Sequence, residues 1–208
     1  MFARTERLFL RPGWLEDAAE LQSMIGDEAV VRNLATAPWP YALDDARTFL
    51  QMPRSAAEPN FLIALRTGGA PKIIGGVGIA ARPDGDHELG YWIARPYWGL
   101  GFATEAARAV LGIARTMKLP RLTASHMVDN PASGKVLRKL GFQPTGRIVN
   151  RYSAGRGGDV ATVEYAEAES AECDAVRPMQ NGLKQTWLSS VAADDDADPR
   201  RSIRLMAA

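Results

Sequence analysis

The amino-acid sequence predicts a mixed α/β (α+β) domain in which a mainly antiparallel central sheet carries helices on both faces. Three features predict it. The β-like runs Phe61–Leu65, Ile73–Ile79 and Leu89–Ile93 are separated only by turn chemistry at Gly68-Gly69 and Pro83-Asp84-Gly85, which reads as an antiparallel meander. After Gly99-Leu100-Gly101, the residues Ala103, Ala106, Ala107, Val110, Leu111 and Ala114 recur at helical spacing and form one apolar stripe. A strand, a helix and a hairpin then follow, and strands mixed with helices in this order call for one layered sheet.

Taken in order, Leu8-Phe9-Leu10 is a short strand stopped by Arg11-Pro12-Gly13. Ala18, Leu21, Met24 and Ile25 give Leu15 to Ile25 the period of an amphipathic helix, and a second helix is expected near Glu28 to Asn33. Prolines keep Pro38-Trp39-Pro40-Tyr41 out of a helix, whereas Asp44 to Gln51 opens with acids in a first turn. Beyond the meander and the striped helix, Leu122 to Met127 reads as a strand. Pro131 to Leu140 reads as a helix closed by Gly141, and Ile148 to Tyr152 with Val160 to Tyr165 as a hairpin. The domain is expected to span residues 1–165. Residues 166–208, with Asp194-Asp195-Asp196, read as a C-terminal extension, partly helical or disordered. Leu183, Trp187, Leu188 and Val191 share a helical face there that could dock on its own domain or on a second subunit, making a homodimer a candidate assembly.

Composition narrows the function. With 25 Lys plus Arg against 24 Asp plus Glu, the charge of +1 gives no basis for phosphate-backbone binding, and nucleic acid is not an expected partner. A single cysteine, Cys173, and two histidines, His87 and His126, offer neither an internal disulfide nor zinc-ligand spacing, so no metal is expected. No apolar run is long enough to span a membrane and the first residues lack a signal-peptide core. The expected location is the cytoplasm.

The segment that points to chemistry is Tyr97-Trp98-Gly99-Leu100-Gly101-Phe102-Ala103-Thr104-Glu105-Ala106, a glycine turn leading directly into a helix. Glycines let main-chain N–H groups approach a ligand, and a helix N-terminus supplies unpaired donors and partial positive charge, which suits a pyrophosphate. A tight turn that merely needs glycine is the alternative. It is not a dinucleotide fingerprint, because Thr104 stands where a third glycine would be, and no Gly-Lys-Ser/Thr of a P-loop follows.

Trp98-Gly99-Leu100-Gly101-Phe102-Ala103 resembles the Q/R-x-x-G-x-G/A turn of the GNAT family of N-acetyltransferases, with Trp98 in place of Gln or Arg. That exception is similar to the branch containing the ribosomal-protein N-terminal acetyltransferases RimJ and RimL. So are Thr5-Glu6-Arg7-Leu8-Phe9-Leu10-Arg11-Pro12, Glu88-Leu89-Gly90-Tyr91-Trp92-Ile93, Asn130-Pro131-Ala132-Ser133 and Val136-Leu137-Arg138-Lys139-Leu140-Gly141-Phe142. The resemblance covers about residues 4–165. It implies a GNAT-like fold and an acetyl-coenzyme A-dependent N-acetyltransferase that moves acetyl to a primary amine by direct attack in a ternary complex. The amine would be a protein N-terminus; a polyamine, aminoglycoside or amino acid is the alternative, and a noncatalytic acyl-coenzyme A-binding module another.

The same resemblance implies the site. Trp98, Gly99, Leu100, Gly101, Phe102, Ala103 and Thr104 would hold the pyrophosphate, Asn130 the pantetheine arm, and a main-chain N–H near Tyr91, Trp92 and Ile93 the oxyanion. Asn130 is also the helix cap that Pro131 calls for. Glu88 would be the general base, directly or through water, and Ser133 would protonate the departing thiolate. Trp39, Tyr41 and Tyr91 would line the acceptor groove. An α-amine, with pKa about 8, needs only a weak base. Two departures stand out. Leu100 occupies a position that is often basic, leaving phosphate binding to main-chain donors. Ala42 replaces a Ser or Thr cap at a cost of about 1 kcal/mol unless Asp44 and Asp45 compensate.

Overall fold

The computed structural model describes residues 1–55, 58–82 and 85–168, so the expected tail face from Leu183 to Val191 lies outside the described residues. Eight strands form one sheet: β1 (Ala3–Arg4), β2 (Leu8–Arg11), β3 (Asn60–Leu65), β4 (Lys72–Ala81), β5 (His87–Ile93), β6 (Leu122–Met127), β7 (Phe142–Ser153) and β8 (Gly158–Glu167). Their order is β1-β2-β3-β4-β5-β6-β8-β7, and every neighbouring pair is antiparallel except β5 with β6. The helices are α1 (Ala18–Ile25), α2 (Glu28–Val31), α3 (Leu43–Gln51), α4 (Phe102–Thr116) and α5 (Pro131–Lys139).

Alternation along β5 divides the molecule into two cores. Leu89, Tyr91 and Ile93 point into a cluster with Phe102, Ala106, Ala107, Val110, Leu111 and Ala114 of α4 and Leu137 of α5. Trp92 points the other way, into a cluster with Ala18, Leu21 and Ile25 of α1, Val30 and Val31 of α2, and Ala46 of α3. The striped helix therefore buries the face its spacing specifies, at about 1.5–3 kcal/mol for each large side chain taken from water.

Local chemistry explains where the elements begin and end. The expected helix from Leu15 starts as a 3-10 turn, Leu15–Asp17, before α1 takes over. Ala42 cannot cap α3, and Asp45 serves in its place by accepting the Ala42 N–H at 2.8 Å. β7 runs from Phe142 rather than from Ile148, and β8 continues two residues past Tyr165, because Phe142 pairs with Glu167 and Gln143 with Ala166. A register shift between Pro144 and Ile148 absorbs the polar residues that hide this strand from an alternation rule, and its edge position tolerates Pro144.

Candidate active site

The turn before α4 has the shape its glycines require. Gly99 and Gly101 have φ of +76° and +83°, and α4 starts at Phe102 with Gly101 as its cap. The Glu105 N–H bonds the Gly101 carbonyl at 3.1 Å, so the first-turn amides of Phe102, Ala103 and Thr104 precede the first helical bond and form a row of donors at the positive end of a 15-residue helix. Leu100 is exposed at the tip of the turn and Phe102 is buried beneath it. Trp98 turns its indole N–H onto the Ile93 carbonyl at 2.6 Å, tying the turn to the end of β5.

Beside this turn the sheet opens. The parallel ladder of β5 and β6 holds only from His87↔Leu122 to Leu89↔Ala124, although β5 continues to Ile93 and β6 to Met127. The Ala94 N–H bonds the Ile74 carbonyl, which fixes even-numbered main-chain groups of β5 toward β4 and odd-numbered ones toward β6. The amides of Tyr91 and Ile93 consequently face the gap past the end of the ladder; Trp92, expected among the same donors, turns its main chain to β4.

The N-terminus of α5 closes the gap from one face. Asn130 caps the helix through Oδ1, which accepts the Ser133 N–H at 3.3 Å. Among the described residues its Nδ2 is buried with no partner, an orphaned donor of a kind native structures rarely leave. Ser133 is 1% exposed, and its hydroxyl lies 2.9 Å from the Tyr91 phenol. Burial pushes the Tyr91 pKa well above the ordinary phenol value, against the effect of the Ser133 bond, so the ring stays protonated.

The opposite face of β5 holds Glu88, 2% exposed. Its carboxylate accepts from Arg151 Nη1 at 2.8 and 3.2 Å and from the Ser125 hydroxyl at 2.5 Å. Arg151 also reaches Glu164 at 2.8 Å, and Arg82 stands 3.8 Å from Glu88 and 3.9 Å from Glu164. Tyr41 is buried in the second core, where burial raises its pKa, whereas Trp39 is 42% exposed. Tyr91 stands on the far side of the sheet from Tyr41, packed toward α5, so these two rings do not share a wall. Trp92 is fully buried with no acceptor for its indole N–H among the described residues, and Gly76 leaves the room its ring occupies.

Three participants escaped the reading of the sequence. Ser125 and Arg151 lie on strands 37 and 63 positions from Glu88. Arg7 lies against the glycine turn from the other end of the chain, with Nη1 donating to the Leu100 carbonyl at 3.0 Å. Arg7 sits in one of the segments that carried the resemblance, and that was its only signal.

The family model described as an acetyltransferase (GNAT) domain matches residues 7–143. An uncharacterized N-acetyltransferase, p20, from Bacillus licheniformis is 31% identical over 160 residues, covering 74% of this chain and 88% of that protein. Among solved structures, a GNAT-family acetyltransferase from Bacillus anthracis superposes with a TM-score of 0.67 at 25% identity, covering 80% of this chain and 97% of that one. The apo crystal structure of RimL, a ribosomal L7/L12 α-N-protein acetyltransferase, superposes with a TM-score of 0.64 at 21% identity, covering 79% and 93%. At that identity the likeness to RimL is one of fold.

Proposed function

Because the chain belongs to the GNAT acetyltransferase family, whose members draw acetyl from acetyl-coenzyme A, we propose that it acetylates a primary amine, in the first instance the α-amine of a protein N-terminus. The observation that carries this is the gap between β5 and β6, together with the helix starts that follow those strands, the amide row of α4 and the orphaned Asn130 Nδ2 of α5. The residues present fit the cofactor: a diphosphate needs several main-chain donors, and a pantetheine amide needs a donor such as Asn130 Nδ2. When bound, the cofactor supplies the acetyl group as an activated thioester.

This chain's own residues supply position and proton traffic. The Tyr91 and Ile93 amides, turned into the gap, stabilise charge that develops on the carbonyl oxygen. Ser133, as enclosed as Glu88 and held by the Tyr91 phenol, delivers a proton to the departing sulfur once the thioester fills the gap beside it. Glu88 is too enclosed for direct contact and receives the amine's proton through water. Trp39, the exposed ring of the loop before α3, contacts the acceptor. The segments similar to the RimJ and RimL branch support the α-amine, as does its pKa of about 8, which asks little of a shielded base. Thiol release from acetyl-coenzyme A, measured with N-terminal peptides, free amino acids and polyamines, tests the reading. Turnover with peptides is expected, polyamine-only turnover would move the acceptor to small amines, and tight binding without turnover on any amine would leave a binding module.

A further inference from the structure

We propose that Arg7 is a positioning residue of the diphosphate site, setting the direction of the Gly101 amide and neutralising Glu105 beneath the turn. The proposal rests on the reading that Gly99 to Thr104 receive the diphosphate of acetyl-coenzyme A.

Leu100 removes side-chain charge from the tip of the turn, yet a guanidinium lies directly under it. Arg7 Nη1 donates to the Leu100 carbonyl at 3.0 Å, while Nε and Nη2 hold Glu105 Oε2 at 2.7 and 2.6 Å. The Arg7 main-chain N–H and the Thr5 hydroxyl take Glu105 Oε1 at 2.9 and 2.6 Å, and the guanidinium rests 4.4 Å from the centre of the Phe102 ring. Burial works against the Glu105 charge, but these bonds outweigh it and hold its pKa below the ordinary carboxylate value. The planar fork of arginine makes all of these contacts at once.

Two consequences follow for a ligand. Carbonyl and N–H point in opposite directions across a trans peptide, so pinning the Leu100 carbonyl toward Arg7 aims the Gly101 N–H outward, beside the amides of Phe102 to Thr104. Glu105 stands in the first turn of α4, where its negative charge would repel a diphosphate. Arg7 engages that charge through Nε and Nη2. Arg7 thus acts without touching phosphate, through the shape of the turn and the field around it.

The test compares acetyl-coenzyme A with S-acetylpantetheine, a thioester that lacks the diphosphate. Arg7→Gln is expected to raise KM for acetyl-coenzyme A and Kd for coenzyme A about tenfold, the scale of one hydrogen bond to a charged group. It should leave kcat within about twofold and turnover of S-acetylpantetheine unchanged. Should Arg7→Gln not fold, Arg7→Lys keeps the charge without the fork and is expected to raise the same KM about three- to tenfold. Equal losses on both thioesters, or no loss on either, would overturn the proposal. A wild-type protein with no affinity for coenzyme A would sink the cofactor reading itself, whereas wild-type binding with unchanged variants sinks only the role of Arg7.

Discussion

At the scale of single residues, the site is governed by what each polar group already holds. Glu88 bonds Arg151 and Ser125 and is the proposed base, so its substitution should separate turnover from cofactor binding. Glu88→Gln is expected to lower kcat with a peptide acceptor at least tenfold while leaving KM for acetyl-coenzyme A within twofold, measured by steady-state thiol release. A stability loss of about 1–3 kcal/mol should accompany it, because Arg151 then faces one carboxylate, Glu164, instead of two. His126 offers a pH-dependent counterpart. It is buried under α5, 3.4 Å from the Tyr165 hydroxyl, which in turn accepts from Arg138. Burial lowers its pKa, the Met127 carbonyl opposes this, and the charge of Arg138 adds to it. With the folded pKa below the ordinary value of about 6.5, the unfolded chain binds the proton first as pH falls. The neutral histidine's contribution is complete above about pH 6.5 and is lost on acidification toward the folded pKa. Melting temperatures measured between pH 7.5 and 5 should fall for the wild type and fall less for His126→Gln.

At the scale of elements, each of two helix starts combines a structural task with a proposed binding task, and the two can be separated. Asn130→Asp retains the oxygen that caps α5 but replaces the orphaned donor. Thermal stability should stay near that of the wild type while KM for acetyl-coenzyme A rises several-fold. Asn130→Ala should lose both, including about 1 kcal/mol of cap. Gly101→Ala meets no side chain closer than 3.5 Å, so its cost is the left-handed φ of +83°, about 1–2 kcal/mol. Calorimetric unfolding together with coenzyme A titration should show both a lower melting temperature and weaker binding.

At the scale of the whole molecule, one strand joins both cores: Tyr91 lies in one and its neighbour Trp92 in the other. Unfolding followed by tryptophan fluorescence and by far-UV circular dichroism should therefore coincide in one transition. Coenzyme A at 100 times its Kd is expected to stabilise the wild type by about 2.7 kcal/mol. The shift should shrink in Asn130→Asp at the same concentration, and a shift of equal size would remove Asn130 from the site.

The parts whose signals are local could be read directly along the chain. Apolar period placed α4, Asn130-Pro131 placed the start of α5, the β runs placed the meander, and the two glycines marked the turn. These were legible because a helix face, a cap or a positive φ is encoded within a few neighbouring residues. Tertiary structure alone decided which groups meet. It set Arg7 under Leu100 and Glu105 from more than 90 positions away, enclosed Glu88 between Ser125 and Arg151, and put Tyr91 beside Ser133 rather than beside Tyr41. It also ended the β5–β6 ladder at Leu89. The reason is register: whether a strand residue faces one core or the other, and where two strands part, depends on pairings between distant segments, and a shift of one residue reverses every face.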